Sequence, residues 1–343
     1  MTKATTVYHF IPDDGLGGVQ LAASSFGRSE KVDYRIVYMR TKGSNRLHGY
    51  FKIFQLIREI ETDDAPIFVY SLWKSCVLGL FLRFWFYNCK HILFLHSAKN
   101  AHLLDALITN MFSRVVKNVF ADSTITARDR LARNVKNTKI ISMLRYSVED
   151  LMLLRGPIVK ITDATVKMIY WGRLHPVKNL IFSIELVEFL RGEGLDVYFS
   201  IVGPMTSYGR QVSKLVKTLG LEDSIKFHDE KDLTEIAVMS KEYSFYLSTS
   251  RHEGLAMSVV EGMQLGLVPV VIPVGDIGNY CRNTHNSLFV DSSGAADNLE
   301  LVAALKDMSR FGDLSKNACA TWKEHLTYGQ SMESVLYELS QLG

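Results

Sequence analysis

The chain has little cysteine, no long apolar run and almost no net charge, and each shortage excludes a class of protein. Its four cysteines, Cys76, Cys89, Cys281 and Cys319, are scattered, with no Cys-x-x-Cys pair. They read as reduced, mostly buried thiols of a cytoplasmic protein, not as a disulfide frame or a zinc site. The most apolar stretch, Cys76 to Tyr87, is interrupted by Arg83 and falls short of the ~20 residues a membrane span needs. Met1 leads almost directly into the strand-like Thr6 to Ile11, with no basic region followed by an apolar one, so the sequence predicts a protein that is not secreted. A formal charge of +3 is too small to argue for nucleic acid. No RNP-type aromatic motif, zinc-finger spacing or recognition-helix pattern supplies that argument either.

What is present is ordinary in composition and specific in pattern. Hydrophobic content of 47% and charged content of 22% fit a soluble globular protein with neither disorder nor low complexity. A length of 343 residues exceeds one typical core and suits two domains. Short β-branched or aromatic runs alternate with longer helical ones, which implies parallel sheets and doubly wound α/β domains. The first half gives strands at Val7–Ile11, Arg35–Met39, Ile67–Tyr70, His91–Leu95, Asn118–Ala121 and Lys139–Ser142, with helices between them. The pattern lapses around Arg155-Gly156-Pro157 and restarts at Val166. Strands follow at Lys167–Trp171, Val197–Val202, Ile225–Phe227, Ser244–Leu247, Val268–Ile272 and Leu288–Val290. The expected domains are therefore 1–157 and 158–325. A last helix, about Ser331 to Leu342, has one apolar face and is expected to pack back on the first domain. Ligands of such sheets bind at the carboxyl ends of the strands, and in two domains those ends can face each other across a cleft.

Two segments carry the chemistry. Gly172-Arg173-Leu174-His175-Pro176-Val177-Lys178-Asn179 takes a strand into a loop with two cations, and a helix follows at once. Arg173 and Lys178 can both reach a diphosphate, to which charge-assisted bonds are strong. The plainer alternative is a pair of solvated surface cations. The second segment runs from Ser250-Arg251-His252-Glu253 through Gly254, Leu255, Ala256 and Met257 to Ser258, and Glu261 follows in the helix that Ser258 starts. Amides of Leu255 to Ser258 would point at a bound anion with the helix dipole behind them. Alone, Glu261 reads as an ordinary exposed helix residue favoured by that same dipole.

Both segments resemble the signature motifs of glycosyltransferase family 4, the retaining nucleotide-sugar transferases of the GT-B fold. The resemblance continues through Gly266-Leu-Val-Pro-Val-Val271, Gly275-Asp-Ile-Gly278 and Asn286-Ser-Leu-Phe-Val-Asp291, and covers nearly all of residues 166 to 291. It implies an α/β GT-B architecture of two Rossmann-like domains facing across a cleft. By the same resemblance, Arg173 and Lys178 hold the donor diphosphate, Glu253 contacts the transferred sugar and Glu261 holds the ribose hydroxyls. Gly172, Gly203 and the loop Gly254 to Ser258 complete the donor contacts. The sequence departs from the family at Ala256 and Ser287, where Gly is common, and its Gly-rich turn is reduced to Val202-Gly203-Pro204. His228-Asp229-Glu230 replaces the usual apolar-Gly pair, which leaves the nucleotide base open.

The first half is less specific. Asp13-Asp14-Gly15-Leu16-Gly17-Gly18-Val19-Gln20 joins the first strand to the first helix, and Gly17 and Gly18 let backbone come close to a ligand. A dinucleotide fingerprint requires Gly where Gln20 stands, so a dehydrogenase reading fails there. The loop resembles the Gly-Gly turn of family 4 near the donor phosphates; a plain tight turn is the alternative. His96 ends a strand, begins the polar turn His96-Ser-Ala-Lys-Asn100, and resembles the family's cleft histidine that touches the donor sugar. The segment Leu72 to Lys90 mixes aromatics with Lys74, Arg83 and Lys90, as a helix on an anionic membrane surface does; a buried core helix with charged ends fits equally well.

The resemblance therefore implies a retaining, hexosyltransferase-type enzyme. Its partners are a nucleotide sugar and a glycan or lipid-linked glycan acceptor of bacterial surface polysaccharide assembly, such as lipopolysaccharide, O-antigen or capsule. The catalytic set is Glu253, His96, Arg173 and Lys178. No Asp-x-Asp pair is present and the site already supplies cations, so no metal and no cofactor is implied. The expected location is the cytoplasm, peripheral on the inner face of the plasma membrane. Two other readings stay open: a nucleotide-sugar epimerase or hydrolase on the same fold, and a non-catalytic subunit that binds nucleotide or glycan.

Overall fold

The computed structural model describes residues 4–15, 17–41, 46–60, 65–97, 102–131, 137–156 and 165–342, with 46–52 described by backbone alone. Leu16 of the glycine turn, residues 98–101 after His96, residues 132–136 and the connector from Pro157 lie outside the described residues. Two compact units emerge: residues 1–145 with 326–343, and residues 146–325.

In chain order the first unit contains β1 (Thr5–Ile11), α1 (Gly18–Ser24), β2 (Val32–Tyr38), α2 (Arg46–Glu59), β3 (Ile67–Ser71), α3 (Leu72–Trp85), β4 (Lys90–Leu95), α4 (Leu103–Val115), β5 (Asn118–Ala121), α5 (Thr124–Arg130) and β6 (Asn137–Ile140). Its sheet is wholly parallel, in the order β2-β1-β3-β4-β5-β6. Such a sheet is covered on both faces, so its strands read as unbroken apolar runs. Ile67 to Ser71 is buried at every position. Phe10 stacks on Tyr70 at 5.4 Å between ring centroids, and Tyr70 meets Phe112 of α4 edge-on at 5.1 Å.

The second unit opens with α6 (Val148–Arg155), followed by β7 (Thr165–Trp171), α7 (Leu180–Gly192), β8 (Asp196–Val202), α8 (Ser207–Thr218), β9 (Ile225–His228), α9 (Leu233–Met239) and β10 (Phe245–Ser248). Then come α10 (Met257–Gln264), β11 (Val268–Val271), α11 (Ile277–Tyr280), β12 (Leu288–Phe289), α12 (Leu299–Lys306) and α13 (Phe311–Trp322). Its parallel sheet runs β12-β11-β10-β7-β8-β9. Whereas the sequence places the break near Gly156, the unit begins at Tyr146. Arg155 gives the physical reason. Its side chain is 2% exposed, and its guanidinium donates to the carbonyls of Ser240 and Tyr243, both at 3.2 Å, and of Leu265. These carbonyls lie at the ends of α9 and α10 and of the 3-10 turn Ser240–Glu242, and the three bonds fix α6 to the second unit.

The last helix, α14 (Tyr328–Gln341), starts three residues earlier than its apolar face suggests. A capping box between Thr327 and Gln330 sets that start. It belongs to the first unit, where Tyr328 N donates to Leu144 O at 2.6 Å and Lys139 pairs with Glu338 at 3.0 Å. Among the described residues no helix is long and apolar enough to cross a membrane.

Candidate functional site: two loops at the carboxyl ends of the second sheet

β7 and β10 are neighbours in the second sheet, so the loops leaving their carboxyl ends meet. After β7 the chain turns at Gly172, and Pro176–Lys178 forms a single 3-10 turn. His175 Nδ1 accepts from Val177 N at 3.3 Å, and Asn179, in the left-handed region with φ 53°, passes the chain into α7. After β10 the loop 249–256 lies against this turn. Arg251 N donates to Val177 O at 2.9 Å, Thr249 Oγ1 to Asn179 O at 3.0 Å, and Thr249 Oγ1 also meets Ser183 Oγ at 2.6 Å. This backbone stitching brings Lys178 Nζ to 2.7 Å from Glu253 Oε1, with side chains 21% and 10% exposed. Arg173 is exposed at the same rim.

Two glycines permit the closeness. A Cβ at Gly203, after β8, would run into the carbonyl oxygen of Gly172. One at Gly275, which has φ +59°, would strike the carbonyl of Glu253. Asp276 N donates to Gly254 O at 3.2 Å, and Tyr280 Oη donates to Leu255 O at 2.8 Å, so the glutamate loop is held from behind. Burial, followed by the nearby Cys281, Glu253 and Asp276, pushes the Tyr280 phenol well above its ordinary range and keeps it a donor.

The helix after this loop starts at Met257, one residue before the expected Ser258. Ala256 is its N-cap, held at φ 54° and ψ 63°. The sequence departure from glycine thus falls on a backbone position where an L-residue is strained. Val259 N and Val260 N both bond to Ala256 O, so the amides of Leu255 to Ser258 precede the helical ladder. Glu261 is only 5% exposed and accepts from the Trp171 indole at 3.1 Å, which removes the alternative of an ordinary exposed helix residue.

Beside Gly203 lies a cavity of about 430 Å³ lined by Gly203, Met205, Phe227, His228, Asp229 and Lys231 at the ends of β8 and β9, of which motif reading names Gly203, His228 and Asp229 but not Met205, Phe227 or Lys231. Its sequence signal was the polar run after β9. His228 Nε2 is 3.0 Å from Ser200 Oγ, and burial, reinforced by Lys231, lowers its pKa.

Gly17, Gly18 and His96 belong to the first unit, on the carboxyl edge of its sheet. Gly17 caps α1, and a Cβ there would meet the Gln20 amide oxygen, whereas one at Gly18 would meet nothing. His96 Nε2 lies 2.7 Å from Ser71 Oγ, and its Nδ1 is buried with no hydrogen-bond partner among the described residues. Among the described residues no group of three or more His, Cys, Asp or Glu side chains is placed to hold a metal ion.

Residues 158–318 match the family model described as Glycosyl transferases group 1. The chain is 23% identical over 140 residues to a GDP-mannose:cellobiosyl-diphosphopolyprenol alpha-mannosyltransferase of Xanthomonas campestris, over 40% of this chain and 37% of that protein. It is 22% identical over 228 residues to an uncharacterized glycosyltransferase of Haemophilus influenzae, over 64% of this chain and 59% of that one. The matched stretches therefore span less than two thirds of these relatives' length. Among solved structures, Anabaena HepE in complex with UDP-glucose aligns with a TM-score of 0.76 at 14% identity, over 98% of this chain and 99% of that one. The protein thus has the two-domain GT-B fold of glycosyltransferases, and its second unit carries the sequence pattern of glycosyl transferases group 1.

Proposed function

We propose that the protein is a retaining glycosyltransferase that moves a sugar from a nucleotide sugar to a hydroxyl of a glycan or lipid-linked glycan, in bacterial surface polysaccharide assembly. The observation that carries this reading is the Lys178–Glu253 pair, which joins the two motif loops at the strand ends. An ammonium has three donors, so Lys178 can hold Glu253 and still reach a phosphate oxygen. Arg173 and the amides of Leu255 to Ser258 add positive potential for the diphosphate. Glu253 accepts hydrogen bonds from the sugar, and Glu261 from the ribose. The donor contacts assigned to Gly17, Gly18 and His96 belong to the same proposal.

In this mechanism the bond between the anomeric carbon and the diphosphate oxygen breaks while that charge is stabilised by preorganised donors. The acceptor hydroxyl forms the new bond on the same face, and its proton passes to the departing diphosphate. The cations supplied are side chains, so transfer is expected to persist in EDTA. A nucleotide-sugar panel, assayed for nucleoside diphosphate release with and without mixed glycan acceptors, tests the reading. Acceptor-dependent release supports transfer; equal release without acceptor means hydrolase or epimerase chemistry; binding without release means a binding subunit.

A membrane-proximal acceptor is supported by the surface of α3 and α4. Phe84 is 85% exposed, Leu103 89% and Tyr87 75%, and Phe81, Trp85, Leu104 and Leu107 are each more than half exposed. Between Pro66 and Ala121 the sole acidic residue is Asp105, which is buried and paired with Arg130 at 3.0 Å. Arg83, Arg114 and Lys117 are exposed there. Aromatic and aliphatic side chains among unopposed cations suit an anionic lipid interface, with the protein peripheral on the cytoplasmic face. Lys90 is not part of this surface: its ammonium donates to the carbonyls of Leu339, at 2.8 Å, and Leu342, capping α14.

A further inference from the structure

An unbroken line of hydrogen bonds crosses the first unit and ends at His96. Tyr328 Oη meets Tyr34 Oη at 2.7 Å, and Tyr34 Oη meets His9 Nδ1. His9 Nε2 is 2.6 Å from Ser71 Oγ, and Ser71 Oγ is 2.7 Å from His96 Nε2. Tyr328, His9 and Ser71 are 1%, 0% and 0% exposed. Ser71 holds the N-cap position of α3, where a serine oxygen ordinarily accepts from a helix amide; here it makes no capping bond. The next residue, Leu72, is forced to φ 67°. A serine that forgoes its cap beside a strained leucine points to a demand on its hydroxyl from elsewhere.

The chain can be counted. Burial holds both imidazoles neutral, His9 at about 3 and His96 well below the ordinary range, where the neighbouring His9 adds to the shift. Five groups then carry five protons along four hydrogen bonds, so one proton is left over. It lies on the Tyr328 hydroxyl, on Tyr34 or Ser71 when that oxygen accepts from both neighbours, or on His96 Nδ1, a buried ring nitrogen with no partner among the described residues. An oxygen placed against Nδ1 selects the last arrangement. We propose that Tyr328, Tyr34, His9 and Ser71 are positioning residues that orient His96 so that Nδ1–H is offered to an acceptor oxygen of the bound nucleotide sugar. This inference rests on the nucleotide-sugar reading above and adds the residues that set the tautomer.

The test is long-range ¹H–¹⁵N correlation on the full chain labelled at histidine, with Tyr34→Phe, Ser71→Ala and Ser71→Thr variants, free and with the donor found by the panel. With donor bound, His9 is expected to carry its proton on Nε2 and His96 on Nδ1; the competing arrangements leave the His96 proton on Nε2. Tyr34→Phe, which touches neither Ser71 nor His96, is expected to leave His96 as a mixture and weaken the donor about threefold to tenfold, the weight of one hydrogen bond. Ser71→Ala does the same and Ser71→Thr restores both. If His96 carries its proton on Nε2 with donor bound, or Tyr34→Phe keeps the wild-type His96 signal and affinity, the inference is overturned. If no nucleotide sugar binds at all, the functional reading falls, while the free-protein tautomers still decide whether the line is ordered.

Discussion

Lys178 and Glu253, 75 positions apart in sequence, form a 2.7 Å ion pair that couples the loop after β7 to the loop after β10. The pair is sheltered but reachable, which suits groups that must exchange partners with a ligand.

Glu253→Gln is expected to lower transfer about a hundredfold, a loss of ~3 kcal/mol for a charged bond that strengthens in the transition state. Nucleoside diphosphate affinity should change little. Steady-state rates beside a binding titration check this, and wild-type turnover in the variant would remove Glu253 from the reaction.

Gly275 and Ala256 make opposite predictions on one loop. Gly275→Ala combines a φ of +59° with a collision at the Glu253 carbonyl, so it should cost at least ~2 kcal/mol and shift Glu253. Ala256→Gly relieves left-handed strain of about 1 kcal/mol. It also loses a buried methyl worth about 0.8 kcal/mol and frees the unfolded chain, so stability should stay within about 1 kcal/mol of wild type. Urea unfolding of both variants gives the two numbers.

Acid sensitivity should trace to His9 together with His96, which burial also holds below the ordinary value. The folded pKa of His9, about 3, lies below the ordinary value of 6.5, so the unfolded state binds the proton first. Stability therefore falls as pH drops from 6.5 toward 3, by at most about 1.4 kcal/mol per pH unit for this one proton. Replacing His9 with Gln should flatten that slope in unfolding measured at several pH values; an unchanged slope would place the sensitivity elsewhere.

Binding to anionic vesicles at low salt should drop when Arg83 and Arg114 are both changed to Glu, since each basic residue near such a surface contributes about 1 kcal/mol. Co-sedimentation reads the effect and circular dichroism checks the fold. A wild-type protein that ignores anionic vesicles would favour a soluble acceptor.

The sheets were legible because buried parallel strands are apolar at nearly every position, as in Phe68-Val-Tyr70 or Val268 to Val271. Helices near the carboxyl end were not all visible. α11 has only four residues, and α13 dilutes its spaced Phe311, Leu314, Ala318 and Trp322 with Gly312, Asn317 and Thr321. In the candidate site, Arg173, Lys178, Glu253 and Glu261 could be named from spacing and resemblance. That Lys178 grips Glu253, and that Glu261 is buried under the Trp171 indole, depends on packing between distant segments. The Tyr328–Tyr34–His9–Ser71–His96 line draws on four separate elements and the residue after β4, and no local pattern announces it.

The most direct measurement is calorimetric titration of nucleoside, nucleoside diphosphate and nucleotide sugar into the wild type, Arg173→Ala and Lys178→Ala. Each substitution is expected to weaken the diphosphate and the nucleotide sugar at least about tenfold, the weight of a charged hydrogen bond, while the nucleoside is scarcely affected. Equal losses for all three ligands, or wild-type diphosphate affinity in both variants, would contradict it.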